Sequence, residues 1–107
     1  MVINRFDVFL VNLDPTIGSE VKKTRPCIVV SPQELNDVLN TVIIVPLTSK
    51  ISNYPMRVKV KVNDTEGEAM LDHIRAVDKK RLVKKITHIR GIIQDNICDT
   101  LSEMFTK

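Results

Sequence analysis

Residues 41–62, TVIIVPLTSKISNYPMRVKVKV, hold the two patterns that decide the fold class. Residues 41–48 are β-branched or apolar at nearly every position, the composition of a buried strand, and Asn40 and the polar stretch 49–53 bound it. Pro46 carries no N–H, so that strand requires a gap in its ladder. Residues 56–62 alternate without a break. Met56, Val58, Val60 and Val62 take one face and Arg57, Lys59 and Lys61 the other, which makes a half-exposed strand with three cations pointing one way.

Working outward, residues 5–13 read as a strand that starts half buried and becomes wholly buried, since apolar residues occupy both parities after Phe9. Asp14-Pro15 ends it. Residues 16–25, TIGSEVKKTR, have no sustained apolar period and read as a surface loop, a common seat of function. A short apolar run follows at 26–30. Ser31-Pro32-Gln33-Glu34 then supplies an N-cap, a proline at the first helical position and a capping-box glutamate, so a short helix is predicted over 32–39. Beyond the half-exposed strand, NDTEGE (63–68) reads as a turn, 69–77 as another strand, Asp78 as the cap of a short turn through Arg81, and 86–90 as a final strand. Helical periodicity is clear only at the end, where Ile93, Ile97, Leu101, Met104 and Phe105 recur at spacings of three or four. Many short strands with few helices and no βαβ rhythm imply a mainly β (β-rich α+β) domain over residues 1–107: a small, strongly bent antiparallel barrel with a C-terminal helix.

The 107 residues, with 43% hydrophobic and 27% charged, suit one compact domain and exclude a disordered tail. No apolar run approaches the roughly 18 to 20 residues that span a bilayer, and residues 1–7 do not pair a basic stretch with an apolar one. A cytoplasmic, membrane-free location is expected. Cys27 and Cys98 sit far apart in apolar stretches with no CxxC pair, as buried thiols in a reducing compartment do. Residues 54–107 hold eleven basic and eight acidic side chains, and Arg75, Lys79, Lys80, Arg81, Lys84, Lys85 and Arg90 face one carboxylate, Asp78, within 75–90. Such a patch attracts polyanions; a merely solvated face is the alternative.

Asp72, His73 and His88 are the one plausible set of metal ligands, but they lack zinc-type spacing, and strand neighbours 72 and 73 would project to opposite faces, so no metal or other cofactor is expected. No elbow serine accompanies a histidine, and glycines at 18, 67 and 91 make neither glycine-rich phosphate fingerprint. Metal-free chemistry on a phosphodiester remains: a polyanion patch, a fixed guanidinium and a nearby acid or base suffice. Arg25 ends the polar loop just before Pro26, which fixes the backbone where its guanidinium enters the sheet; bracing the loop is the alternative. Thr48 closes a strand where its hydroxyl can reach a phosphate oxygen or local backbone. Glu20 and Asp72 are candidate bases, and His73 titrates in a suitable range or serves as a packed histidine.

The runs LDPTIGSEVKKTRPCIVVSP (13–32), VPLTSK (45–50) and LDHIRAVDKKRL (71–82), in this order and spacing, resemble the MazF/PemK toxins of bacterial type II toxin–antitoxin modules over nearly the whole chain. The resemblance implies a homodimeric Src-homology-3-like barrel and a sequence-selective endoribonuclease (mRNA interferase). It implies cleavage of single-stranded RNA without metal, and neutralisation by a MazE-like antitoxin whose acidic, partly disordered tail fills the groove. Carried over by motif, Arg25 and Thr48 are the catalytic pair, and Ser19, Glu20, Asp72 and His73 line the RNA site. Some members place an arginine where Met70 stands, so this chain follows the branch relying on Arg25. Many have glutamine at the position of His73, a departure that bears on base preference. Arg57, Lys59, Lys61 and the segment 75–90 would hold backbone phosphates. Gyrase-poisoning toxins share the barrel but resemble one another in a C-terminal Trp-Gly-Ile, whereas this chain ends Met104-Phe105-Thr106-Lys107 and has no Trp. A non-catalytic nucleic-acid-binding barrel is the second alternative.

Overall fold

A computed structural model of the chain describes residues 1–13 and 24–107. The elements run β1 (Asp7–Asn12), β2 (Thr24–Val29), α1 (Gln33–Asn36), β3 (Thr41–Thr48), β4 (Arg57–Val62), β5 (Thr65–Met70), β6 (Arg75–Asp78), β7 (Leu82–His88) and α2 (Ile92–Met104). The strands form one strongly curled antiparallel sheet in the order β4-β5-β3-β2-β1-β7, with β6 paired to β3 off that path. Among the described residues β4 and β7 are its two ends, so the barrel is bent but open.

The strand 41–48 behaves as its composition demands, and its proline explains how the sheet bends. Val30 N–H donates to the Ile43 carbonyl, so Pro46, three residues on, directs its missing N–H away from β2. On that other side β6 covers residues 41–44 and β5 begins at Leu47. Pro46 thus falls where one partner strand has left and the next has just begun, so no ladder bond is lost.

Val8, Ile28, Val45, Leu47, Val58, Val60 and Leu71 build one core; Phe9, Val11, Cys27, Val29, Ile44 and Val77 build a second on the opposite face. Adjacent residues of β1 and β2 therefore enter different cores, which is why their sequences are apolar on both parities. α2 closes the first core: Ile97 is fully buried, and Ile93, Leu101 and Met104 pack against it. No helix among the described residues is long and apolar enough to cross a membrane.

Several local expectations are corrected. The loop expected to reach Arg25 gives way to strand at Thr24. The helix expected over 32–39 is a single turn, with Pro32 at its N-cap and no side-chain capping bond. Ser31 is pulled inward instead, where its Oγ donates to Asn36 Oδ1 (2.5 Å) and accepts from Ile43 N–H (3.0 Å), so tertiary partners outcompete the cap. The turn expected over 63–68 shrinks to Asn63-Asp64, both left-handed (φ 46° and 67°), the two-residue hairpin geometry that matches strand twist. The strand expected over 69–77 is broken by a 3-10 turn, Leu71–His73, between β5 and β6. Asp78 does cap the turn Lys79–Arg81, accepting from Lys80 N–H. Of the two cysteines only Cys27 is fully buried; Cys98 is partly exposed, and both thiols are free.

Candidate active site

β2 and β3 position the two residues of greatest interest. Their register pairs Cys27 with Pro46 and Val29 with Ile44; continued by two residues, it sets Arg25 opposite Thr48. Both line one cavity of about 490 Å³ at the open end of the bent sheet, over a floor that includes Leu47, Val60 and Ile86. Thr48 Oγ1 accepts the Lys50 N–H (3.2 Å), which orients the hydroxyl and leaves its own proton to donate outward. Among the described residues no carboxylate pairs with the Arg25 guanidinium.

The wall beyond Thr48 depends on Gly67. Residue 68 of β5 registers against Thr48, and a Cβ on Gly67 would sit 2.3 Å from the Thr48 carbonyl oxygen. Only a residue without a side chain lets β5 approach the Thr48 end of β3 so closely. Beneath Arg25, burial pushes the Cys27 thiol up to about 12 although Arg25 and Arg75 oppose the shift, so Cys27 is a protonated core side chain and no nucleophile.

Asp72 and His73 do not join this cavity. They sit on the 3-10 turn rather than a strand, and they touch each other, His73 Nε2 lying 3.5 Å from Asp72 Oδ2, because a 3-10 turn does not alternate faces as a strand does. Asp72 accepts two bonds from Arg57, at 3.1 and 3.2 Å, and this pairing holds its carboxyl below the ordinary carboxylate range. A carboxylate so held is a weak base. Ser19 and Glu20 lie outside the described residues.

Alternation alone puts Arg57 on a solvent face with Lys59 and Lys61; the structure folds it in. Its side chain is 10% exposed, lies over the Tyr54 ring (4.9 Å) and reaches Glu68 (3.8 Å). Glu68, 1% exposed, also accepts the Ser52 and Asn53 N–H groups at 3.1 and 2.9 Å. Those bonds lower its pKa against the opposing effect of burial and tie down the segment after Thr48. The basic run 75–90 is likewise partly structural. Lys79 Nζ holds the Asn36 carbonyl, Arg81 Nη1 holds the Asn12 carbonyl, and Lys85 lies 3.3 Å from the buried Asp7, which also bonds His88 Nδ1 at 2.8 Å. Asp72 and His88 are thus committed to different partners, and no His, Cys, Asp or Glu cluster among the described residues could hold a metal ion.

Glu66 lines the Arg25–Thr48 cavity, a residue missed when 63–68 is read wholly as turn. The Asn-Asp pair at 63–64 was the available signal, because a two-residue turn there returns residue 66 to a strand.

The chain belongs to the family of the PemK-like, MazF-like toxin of type II toxin-antitoxin system, the match running over residues 4–105. It is 29% identical over 107 residues to Endoribonuclease EndoA of Bacillus subtilis (strain 168), covering 94% of this chain and 92% of that one. Its fold superposes on crystal structures from Deinococcus radiodurans, at 24% identity and with 97% of this chain and 96% of that one covered. The TM-score is 0.81 for MazF and 0.84 for the MazE-MazF complex (Form-II). An endoribonuclease in complex with its cognate antitoxin from Mycobacterial species, 20% identical, gives 0.81 over 95% of this chain and 93% of that one.

Proposed function

We propose that this chain is the toxin of a toxin–antitoxin pair and acts in the cytoplasm as a sequence-selective, metal-independent endoribonuclease on single-stranded RNA. The observation that carries the reading is that Arg25 and Thr48, from neighbouring strands, line one cavity wide enough for nucleotides. The 2′-oxygen of the ribose attacks the adjacent phosphorus and its proton passes to a base; the bond to the 5′-oxygen breaks, and that oxygen is protonated. The products are a 2′,3′-cyclic phosphate and a 5′-hydroxyl. The Arg25 guanidinium and the Thr48 hydroxyl donate to the phosphoryl oxygens, whose charge is greatest in the pentacoordinate transition state. Glu66 joins Glu20 as a candidate base; Asp72, held anionic by Arg57, serves less well in that role and is assigned with His73 and Ser19 to contacts with flanking bases.

Family membership and the antitoxin-bound relatives support a cognate antitoxin, whose acidic tail competes for the same cavity; a homodimer is the working unit in this reading. The test is direct. Purified protein incubated with mixed RNA in EDTA yields discrete fragments, and Arg25→Ala lowers the rate on the order of a hundredfold or more with its circular dichroism unchanged. A folded Arg25→Ala protein that cuts at the wild-type rate removes Arg25 from the mechanism.

A further inference from the structure

The open seam of the sheet forms a second cleft, of about 520 Å³, between the free edge of β4 and the end of β7. Lys59 and Lys61 enter it from β4 and Arg90 from beyond β7; all three are exposed. Lys59 and Lys61 are two residues apart on a strand, so their side chains leave the same face about 7 Å apart. Among the described residues Glu66 is the one carboxylate in the lining, and it stands opposite Lys61 in the hairpin register. Glu68, opposite Lys59, is committed to the Ser52 and Asn53 amides and to Arg57, and His88 is bonded to Asp7. The cleft therefore keeps a cationic excess beside a short apolar strip of Ile51 and Ile93, Val60 and Ile89 being buried. Cations in a row beside apolar surface suit a single polynucleotide strand, with phosphates on the lysines and base or ribose faces on the strip.

The two clefts share lining residues. Val60, Asn63, Glu66 and Gly67 line both, so the β4–β5 hairpin is their common wall. We propose that the seam cleft is a second RNA-binding site, holding the nucleotides that flank the scissile bond as the same strand crosses this hairpin. The proposal rests on the reading of the Arg25 cavity as the cleavage site. It assigns the phosphate-holding role to Lys59, Lys61 and Arg90 and withdraws it from Arg57.

The experiment compares two RNAs, one of about four nucleotides around the cleavage sequence and one extended by about six on each side, both with the 2′-hydroxyl at the scissile position blocked. Fluorescence anisotropy on the wild type and on the double variant Lys59→Gln/Lys61→Gln gives the affinity of each as salt is varied. Loss of two phosphate contacts at 0.1 M salt, with a slope of about 0.7 per contact, reduces the advantage of long RNA over short on the order of tenfold or more and lowers its salt slope by about 1.4. An unchanged length advantage, or an equal loss on both RNAs, overturns the second site. So does a variant that keeps its RNA affinity but loses that for an acidic peptide, since the cleft is then a polypeptide site. Because binding is read without cleavage, absence of cutting by the wild type on unblocked RNA refutes the reading of the Arg25 cavity independently.

Discussion

Gly67→Ala sets local propensity directly against tertiary packing. In an unhindered strand, alanine in place of glycine stabilises by about 0.4–1 kcal/mol, because the unfolded chain loses freedom. Here the added Cβ would lie 2.3 Å from the Thr48 carbonyl oxygen and 3.2 Å from its carbon, and the obstructing atoms are backbone, which has no rotamer to escape into. β3 and β5 must part locally. Overpacking of this kind costs about 1–3 kcal/mol, and a stretched ladder bond adds about 1 kcal/mol, so the net effect is a loss of about 2–3 kcal/mol. For a chain of 107 residues, at roughly 4–8 °C per kcal/mol, the midpoint of thermal unfolding falls by about 8–24 °C. Urea unfolding at fixed pH gives the same free energy by an independent route. Because the displaced atoms belong to Thr48, cleavage measured well below the new midpoint also falls. A midpoint equal to or above wild type would mean that β5 does not approach Thr48 as described, and the shape of the cavity would go with it.

Two predictions concern titration. Asp72 and Glu68 both have pKa values lower in the folded protein than in the unfolded chain, so their stabilisation is complete above the ordinary carboxylate range near 4 and is lost as pH falls through the lowered values. Wild-type thermal midpoints should therefore drop as pH falls below about 4, and Asp72→Asn should be less stable at neutral pH with a shallower acid decline; parallel curves would refute the pairing with Arg57. Cys27, with its thiol pushed up to about 12, should resist iodoacetamide at pH 8 in the native protein while the partly exposed Cys98 reacts, and both should react in denaturant. Mass spectrometry of the digest distinguishes the two, and equal native labelling would contradict the burial of Cys27.

Unbroken alternation at 56–62 placed β4, periodicity at 93–105 placed α2, and the ordered motifs around Arg25, Thr48 and Asp72 led to the family. Each is a local signal: a side chain's face follows from backbone period, and a motif needs only its spacing. What neighbours in space decide was not legible. Arg57 sits on the cationic side of a perfect alternation, yet it turns to Asp72 and Glu68, fifteen and eleven residues away. Ser31 has the identity and position of an N-cap, yet Asn36 and the Ile43 amide claim its hydroxyl. Composition and period by themselves determined most of the segments that become strands, that the terminal helix packs on one side, and that Thr48 ends its strand at a polar boundary. Only the tertiary structure decided that β2 and β3 set those two residues across one cavity, that Asp72 is drawn away to Arg57, and that an open seam leaves Lys59 and Lys61 facing a second cleft. The physical reason is that faces and caps follow from neighbours along the chain, whereas register, curvature and ion pairing depend on contacts between segments that meet only once the sheet has bent.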